Sequence, residues 1–202
     1  MLDLYVGNKN YSSWSLRGWL LLRGLDIPFE EHALELFTED FARRLTALGA
    51  PARVPVLVDD GQVVWDTMAI AEYVAERFPD RAVWPRDRAL RALARSFCAE
   101  MHSSFQALRT AMPMNVEADL PGGLWSNAVR DDILRVLAIW YQALALSERA
   151  NRPGGPFLFG EFGAVDAFFA PVISRFATYR VELPEPCATY ARTVLDPRRS
   201  SE

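Results

Sequence analysis

The sequence predicts an α/β layer followed by an all-helical region. Over roughly the first 80 of the 202 residues, strand and helix patterns follow one another in the order β-α-β-α-β-β-α, which is typical of a mixed sheet covered by helices. Residues 78–85 then show prolines and no sustained hydrophobic period. Beyond them the chain shows only helical patterns and loops. We therefore predict one domain at residues 1–80, a linker at 78–85 and an all-helical domain at 86–202.

The first strand and the first helix meet at a polar loop. Apolar residues alternate with others from Leu2 to Val6, which predicts a strand, and turn-forming residues at 7–10 end it. A helix is predicted to begin near Ser12 or Ser13, because either hydroxyl can cap its free backbone N–H groups. Such a helix start favours a bound anion or thiolate. A plain serine-capped turn would explain the same residues.

The remaining α/β elements are predicted from caps and turns. Thr38 precedes an acidic first turn, Gly49 and Pro51 follow the same helix, and residues 59–62 form a hairpin signal. Pro55 cannot donate to a sheet ladder, so the backbone beside it is free for a partner. The predicted strands are 31–36, 53–59 and 63–65, and the predicted helices are 38–48 and 68–77.

The helical region is predicted to contain three long amphipathic helices. Their hydrophobic periods run over residues 87–108, 127–149 and 165–179. Glycine and proline cluster between them, at 121–123 and 153–156. The patterns do not recur at a fixed spacing, so a repeat architecture is not indicated.

Composition argues against several classes of function. A formal net charge of −4 without a basic tract disfavours a general nucleic-acid or anionic-membrane binder. Cys98 and Cys187 stand far apart and form neither a metal-ligand nor a disulfide pattern, which fits a reducing cytoplasm. No segment stays apolar for about 18 residues, and the first residues do not have the pattern of a signal peptide. We therefore expect a cytoplasmic protein that has no metal site and binds neither membranes nor nucleic acids.

Four segments of the chain carry a family pattern. In order, they are YSSWSLRGWL, RVPVL, DTMAIAEYVAERFP and FLFGEFGAVDAFFAPV. Together they resemble the cytosolic glutathione S-transferases, and most closely the serine-type, zeta-like bacterial branch, over Leu2 to about Val181. The resemblance implies a thioredoxin-like N-terminal domain, an all-helical C-terminal domain and an active cleft between them in a homodimer. It also implies glutathione as co-substrate and a role in detoxification.

The resemblance implies that a loop serine donates a hydrogen bond to the glutathione sulfur. Ser12 matches the usual position, with Ser13 adjacent and expected to cap the helix. A thiol with an ordinary pKa of about 8.5 is mostly protonated at neutral pH, so it must be stabilised as the nucleophilic thiolate. A hydroxyl donor and a helix N-terminus can both contribute to that.

The resemblance also implies where the rest of glutathione binds. Val54 and Pro55, preceded by Arg53, match a segment whose cis peptide bond leaves the valine backbone to pair with the cysteinyl residue. Asp66 and Thr67 match the acid-hydroxyl pair that holds the γ-glutamyl end. From the residues alone, an ordinary trans proline and an ordinary helix cap would be expected, because cis is only about 5–6% of such bonds.

The electrophile is expected to bind against the first helix of the C-terminal domain. Trp14, His102, Phe105 and Arg109 match the family's acceptor pocket. Aromatic residues at helical spacing are also typical of a core, so that alternative stays open. Further along, Gly163 and Asp166 match a buried capping box, with glycine in place of the usual hydroxyl.

These observations predict a glutathione transferase that adds the thiolate to a small electrophile. A zeta-type cis–trans isomerisation, in which glutathione adds to a double bond and leaves after rotation, needs the same parts. The alternative is a non-catalytic binding or scaffold module with the same fold. Disulfide oxidoreduction is disfavoured, because the loop offers serine and tryptophan where a redox protein needs cysteine.

Overall fold

A four-stranded mixed sheet forms the N-terminal part of the computed structural model, which describes residues 1–149 and 155–195. The strand order is β2-β1-β3-β4, with β1 parallel to β2 and antiparallel to β3, and with β3 antiparallel to β4. The strands are β1 (Leu2–Val6), β2 (Phe29–Ala33), β3 (Val56–Asp59) and β4 (Gln62–Trp65). This arrangement confirms the predicted thioredoxin-like layer.

Three helices cover the two faces of this sheet. They are α1 (Ser13–Gly24), α2 (Glu39–Ala47) and α3 (Thr67–Arg77). Successive strand residues point to opposite faces, so Leu57 packs in the core shared with α1 and α3, whereas Val56 packs with Phe41 and Leu45 of α2. Caps fix the ends, as Thr38 accepts a hydrogen bond from Phe41 N at 3.1 Å.

The second part of the chain is helical, as predicted. Its helices are α4 (Arg88–Ser103), α5 (Gln106–Ala111), α6 (Asn127–Arg149), α7 (Ala164–Thr178) and α8 (Cys187–Val194). Trp140 lies at the centre of their core, with ring centroids 6.0, 5.8 and 5.1 Å from those of Phe169, Phe176 and Tyr190, all in edge-on geometry. No helix within 1–149 or 155–195 combines the length and the hydrophobicity needed to span a bilayer.

Several predicted boundaries are wrong. The helix predicted at 87–108 is two helices, because Phe105 adopts a left-handed backbone (φ 64°) that breaks the helical hydrogen bonds. The strand predicted at 31–36 lies at 29–33, where it pairs with β1. The strand predicted at 53–59 begins only at Val56, after the cis Val54–Pro55 bond. Part of the predicted break at 153–156 and the end of the predicted helical domain lie outside the described residues.

The start of α7 joins the helical part to the linker. The Asp166 carboxylate accepts hydrogen bonds from Gly163 N at 2.9 Å and Leu158 N at 3.2 Å, and Ala164 N donates to Val83 O at 2.9 Å. A Cβ atom on Gly163 would lie 3.0 Å from the Val83 carbonyl oxygen, closer than ordinary contact. Glycine therefore lets the helix start pack directly against the linker backbone.

Asp166 is expected to make the stability of the fold pH-dependent. The side chain is 1% exposed, and this burial raises its pKa to about 6. Since an unfolded aspartate titrates near pH 4, the folded state binds more protons between those values, and this contribution to stability is lost as the pH rises through 6. Two pH units correspond to roughly 3 kcal/mol.

Urea unfolding of the wild type and of Asp166→Asn at pH 4, 5, 6 and 7 measures this effect. The free energy of unfolding of the wild type, relative to that of the variant, should fall by about 2 kcal/mol from pH 4 to pH 7, because over half of the unfolded aspartates are already ionised at pH 4. Equal pH dependence in the two proteins would show that Asp166 titrates normally.

Candidate functional site

One cavity of about 590 Å³ lies where α1, the segment before β3 and the start of α3 meet the end of α4. We call it the site cavity. Eight of the eleven side chains predicted as site residues line it: Ser12, Trp14, Arg53, Val54, Pro55, Asp66, Thr67 and His102. The other three, Ser13, Phe105 and Arg109, lie outside its lining.

Ser12, and not Ser13, caps α1. Ser12 Oγ accepts a hydrogen bond from Ser15 N at 3.3 Å and donates one to Ser15 Oγ at 2.9 Å. Ser15 Oγ also accepts from Gly7 N at 2.9 Å, which ties the loop to the helix. Ser13 is 7% exposed and does not line the site cavity. The expectation that Ser13 is the cap is therefore wrong, and of the two serines only Ser12 lines the cavity.

The segment before β3 forms one edge of the cavity. The Val54–Pro55 peptide bond is cis, as the family resemblance implied. The ladder between β1 and β3 begins with Tyr5 opposite Val56, so Val54 precedes the paired residues. Its backbone N–H and C=O groups can therefore pair with the backbone of an extended ligand.

The opposite edge is the start of α3. Asp66 has a positive φ of 73° and accepts a hydrogen bond from Met68 N at 2.9 Å. Thr67 is buried, and its Oγ1 lies 3.5 Å from His102 Nδ1. His102 Nε2 lies 3.3 Å from Asp66 Oδ2. A carboxylate, a hydroxyl and a helix N-terminus thus converge on one point, where both an ammonium and a carboxylate of a ligand can be bound.

The predicted acceptor residues divide into two groups. Trp14 and His102 lie in the cavity wall, with ring centroids 4.9 Å apart. Phe105 is 4% exposed and packs in the core. Arg109 lies behind Trp14, its Cζ 5.2 Å from the ring centroid, and donates to Ser104 O at 3.0 Å and to Met101 O. Phe105 and Arg109 therefore do not line the cavity, and Arg109 lies against one of its wall residues.

Sequence reasoning did not find several residues of the wall. They are Leu36, Phe37, Phe41, Pro51, Ala52 and Trp65. Phe37 is 94% exposed and has a positive φ of 65°, and Trp65 is 46% exposed. The sequence contained a signal for these two residues. Each is a large aromatic side chain at the end of an extended segment, and aromatic side chains that the core does not bury indicate a binding surface.

Family models match both parts of the chain. The model described as "Glutathione S-transferase, N-terminal domain" matches residues 11–77, and the one described as "Glutathione S-transferase, C-terminal domain" matches residues 87–197. The second match alone extends over more than half of the chain.

Individual proteins agree with these matches. A probable maleylacetoacetate isomerase of Caenorhabditis elegans is 34% identical over 105 residues, which are 52% of this chain and 48% of that protein. A zeta-class glutathione S-transferase of Euphorbia esula is 31% identical over 117 residues, 56% of this chain and 50% of that protein. The matched region thus spans about half the length of these relatives.

A solved structure extends the likeness to the whole fold. A glutathione transferase homologue from Burkholderia GL BGR1, with bound glutathione, superposes with a TM-score of 0.63 at 24% identity and covers 98% of this chain and 93% of that one. The two family matches, the named relatives and the architecture all indicate the same family. The chain belongs to the glutathione S-transferase family.

Proposed function

We propose that this protein is a glutathione transferase that binds glutathione in the site cavity and adds its sulfur to a small electrophile. One observation carries the proposal. Ser12, Val54 and the Asp66–Thr67 helix start all line the same cavity of about 590 Å³, and between them they can offer a hydroxyl, a backbone edge and a carboxylate beside a helix N-terminus. A tripeptide with a thiol, an extended backbone and a zwitterionic end requires those three kinds of partner.

The Ser12 hydroxyl has the chemistry needed to stabilise a thiolate. It donates its proton to Ser15 Oγ, at 2.9 Å. Ser15 Oγ also accepts from Gly7 N, so it keeps a partner when the Ser12 hydroxyl rotates towards a sulfur. The N-terminus of α1 adds positive potential at the same place. We assign Ser12 the catalytic role and Ser13 a packing role.

The γ-glutamyl end is proposed to bind at the start of α3. The Asp66 carboxylate is 48% exposed and can accept from the ammonium, while Thr67 can offer its hydroxyl and backbone N–H to the carboxylate. His102 contacts both residues and belongs to α4, so it connects this end of the ligand with the helical part.

Zeta-type isomerisation is the second candidate reaction. The names of the relatives favour it, because one is called a probable maleylacetoacetate isomerase and another a zeta-class transferase. In this reaction the thiolate forms a C–S bond at one carbon of a cis double bond, and the π electrons move onto the conjugated carbonyl as an enolate. The remaining single bond rotates, and the enolate then re-forms the double bond as the thiolate leaves. Conversion of a cis-enedione to its trans isomer without net loss of glutathione would identify this reaction. Net loss of the thiol would identify conjugation.

Further parts of the proposal rest on family membership. We propose a homodimer in the cytoplasm that acts on small electrophiles, as in detoxification. The rival proposal, a non-catalytic module, needs no thiolate and no turnover. The two experiments that follow separate the rivals, because the first detects binding and the second detects activation of the sulfur.

Reduced glutathione is expected to raise the melting temperature. A ligand that binds only the folded state stabilises it by about 2.7 kcal/mol at a hundredfold excess over its dissociation constant. Differential scanning fluorimetry at millimolar glutathione measures the shift. Asp66→Asn removes the proposed ammonium partner and should reduce it, whereas Asp80→Asn in the linker is a matched surface control that should not. An unchanged melting curve of the wild type would contradict glutathione binding.

Ser12→Ala is expected to separate binding from activation. The backbone and γ-glutamyl contacts remain, so glutathione affinity should stay nearly intact. The pKa of the bound thiol should rise and turnover at neutral pH should fall by one to two orders of magnitude, because a charge-assisted hydrogen bond contributes roughly 1.5–3 kcal/mol. Loss of the helix cap should also lower stability by about 1 kcal/mol.

Thiolate absorbance against pH and steady-state rates with an aryl halide provide the measurements. Ser13→Ala serves as the control, since that side chain is buried outside the cavity lining. If Ser13→Ala removed the thiolate signal and Ser12→Ala kept it, the assignment of the activating hydroxyl would be wrong.

A further inference from the structure

Arg17 is a buried cation on α1. Its side chain is 1% exposed, and its Nε donates to Phe168 O of α7 at 3.1 Å. Within the described part of the chain, its Nη1 and Nη2 atoms are buried and have no hydrogen-bond acceptor. Its Cζ lies 4.5 Å from the centroid of the Trp14 ring and 5.7 Å from that of Phe168. The charge is therefore bounded mainly by aromatic rings and one carbonyl oxygen.

Two further arginines lie close to this buried charge. Arg175 is 6% exposed and donates to Met112 O at 2.8 Å and to Pro171 O at 3.0 Å. Arg109 is half-buried and donates to backbone carbonyl oxygens at the end of α4. Throughout residues 1–149 and 155–195, no carboxylate oxygen lies within 4.0 Å of any of the three guanidinium groups.

The surroundings disfavour the charge on Arg17. Burial, and then the charges of Arg109 and Arg175, lower the pKa of Arg17 to about 9, while Cys98 and Asp66 oppose that change. Burial also raises the pKa of the Cys98 thiol well above its ordinary value, so that thiol is neutral at pH 7. Arg17 thus stays protonated at pH 7, with Asp66 as the negative group that acts on it.

A charge in this position does not benefit the fold. Removing a charged group from water without an ionic partner is unfavourable, and replacing it with an apolar residue of similar volume is often neutral or stabilising. A methionine would fill much of the same space against Trp14 and Phe168. The positive charge of Arg17 therefore calls for an explanation other than stability.

The charge lies against a residue of the cavity wall. Trp14 lines the cavity, and the Arg17 guanidinium lies over its ring, so one side chain connects the buried charge with the cavity wall. Asp66, also in the wall, interacts electrostatically with Arg17. Ser12 caps the same helix five residues earlier. An anion near Ser12 and Trp14 would be within the field of Arg17.

We propose that Arg17 is a positioning residue whose fixed charge, acting through the Trp14 ring, stabilises the glutathione thiolate held by Ser12. This inference rests on the proposed function and adds a second source of thiolate stabilisation to it. The ring centroid lies 4.5 Å from Arg17 Cζ, and a sulfur in van der Waals contact with the ring would lie up to about 3.5 Å farther away. At roughly 8 Å and an effective dielectric constant of about 20, a unit charge shifts a thiol pKa by one to two units.

Arg17→Met tests the proposal. The pKa of enzyme-bound glutathione should rise by about one unit, and kcat/KM below that pKa should fall about tenfold. Affinity for S-methylglutathione should be unchanged, because that ligand has no thiol to ionise. The melting temperature should not fall. Arg17→Gln, which is also neutral but can still donate to Phe168 O, should give the same change in thiol pKa even if the methionine variant folds poorly.

Arg175→Met is the matched control. It removes a second buried guanidinium that, in the described structure, has no contact with the Trp14 ring, so it should move the thiol pKa less than Arg17→Met does. An unchanged thiol pKa in both Arg17 variants would overturn the proposal. Parallel loss of affinity for glutathione and S-methylglutathione would also overturn it, since that result indicates a purely structural role.

Two further outcomes would assign Arg17 a different role or contradict the proposed function. A variant that keeps the wild-type thiol pKa but loses activity only with carboxylate-bearing electrophiles would assign the charge to the acceptor and overturn the proposal. A wild-type protein that binds no glutathione, or binds it without a thiolate signal, would contradict the proposed function itself and, with it, this inference.

Discussion

The packing of α1 between the sheet and α7 is the constraint on which the site depends. On one side, a Cβ atom at Gly18 would lie 3.0 Å from Pro55 Cγ, so the absence of a side chain lets the helix approach the segment before β3. On the other side, Leu21 and Leu22 of α1 share one buried core with Phe168 and Phe169 of α7. Because the helix is fixed on both sides, its N-terminal cap, Ser12, has a fixed position relative to the cis Val54–Pro55 edge of the cavity.

Two buried ionisable groups oppose the stability of this arrangement, and they do so in different ways. Asp166 is fully buried, yet two backbone N–H groups satisfy its carboxylate, and this pairing positions the start of α7. Arg17 has one carbonyl acceptor and two unpaired Nη atoms. Backbone hydrogen bonds partly compensate the burial of Asp166, and the remaining cost appears as a pH dependence of the free energy of unfolding. The Nη atoms of Arg17 have no such partners in the described structure. A buried charge without compensation is expected where the charge interacts with a ligand rather than stabilising the fold.

Local signals were sufficient to predict most elements, but not the contacts between elements. Thr38 and the turn at 59–62 predicted their helix and hairpin correctly, because caps and turns act over a few residues. The break at Phe105 was missed, since the hydrophobic period continues across it and only tertiary packing requires the left-handed backbone. The cap could not be assigned between Ser12 and Ser13, because both hydroxyls satisfy the same pattern. The fold class followed from the order of elements and is confirmed, whereas the domain boundaries and the roles of the site residues stay predictions.

Trp14 connects the α1 side of the site cavity with the side formed by the helical part. It lines the cavity, packs at a steep angle against the His102 ring and has two guanidinium groups, those of Arg17 and Arg109, close to its ring. Each cation–π contact of this kind contributes roughly 0.5–2 kcal/mol, so the two help to hold the ring in place. An electrophile that approaches a sulfur beside Ser12 would meet this ring, so we expect the ring's fixed position, rather than direct contact with Arg109, to limit the size of the acceptor. Arg109 comes from the helical part and Arg17 from α1, and the shape of the acceptor wall therefore depends on how the two parts pack against each other.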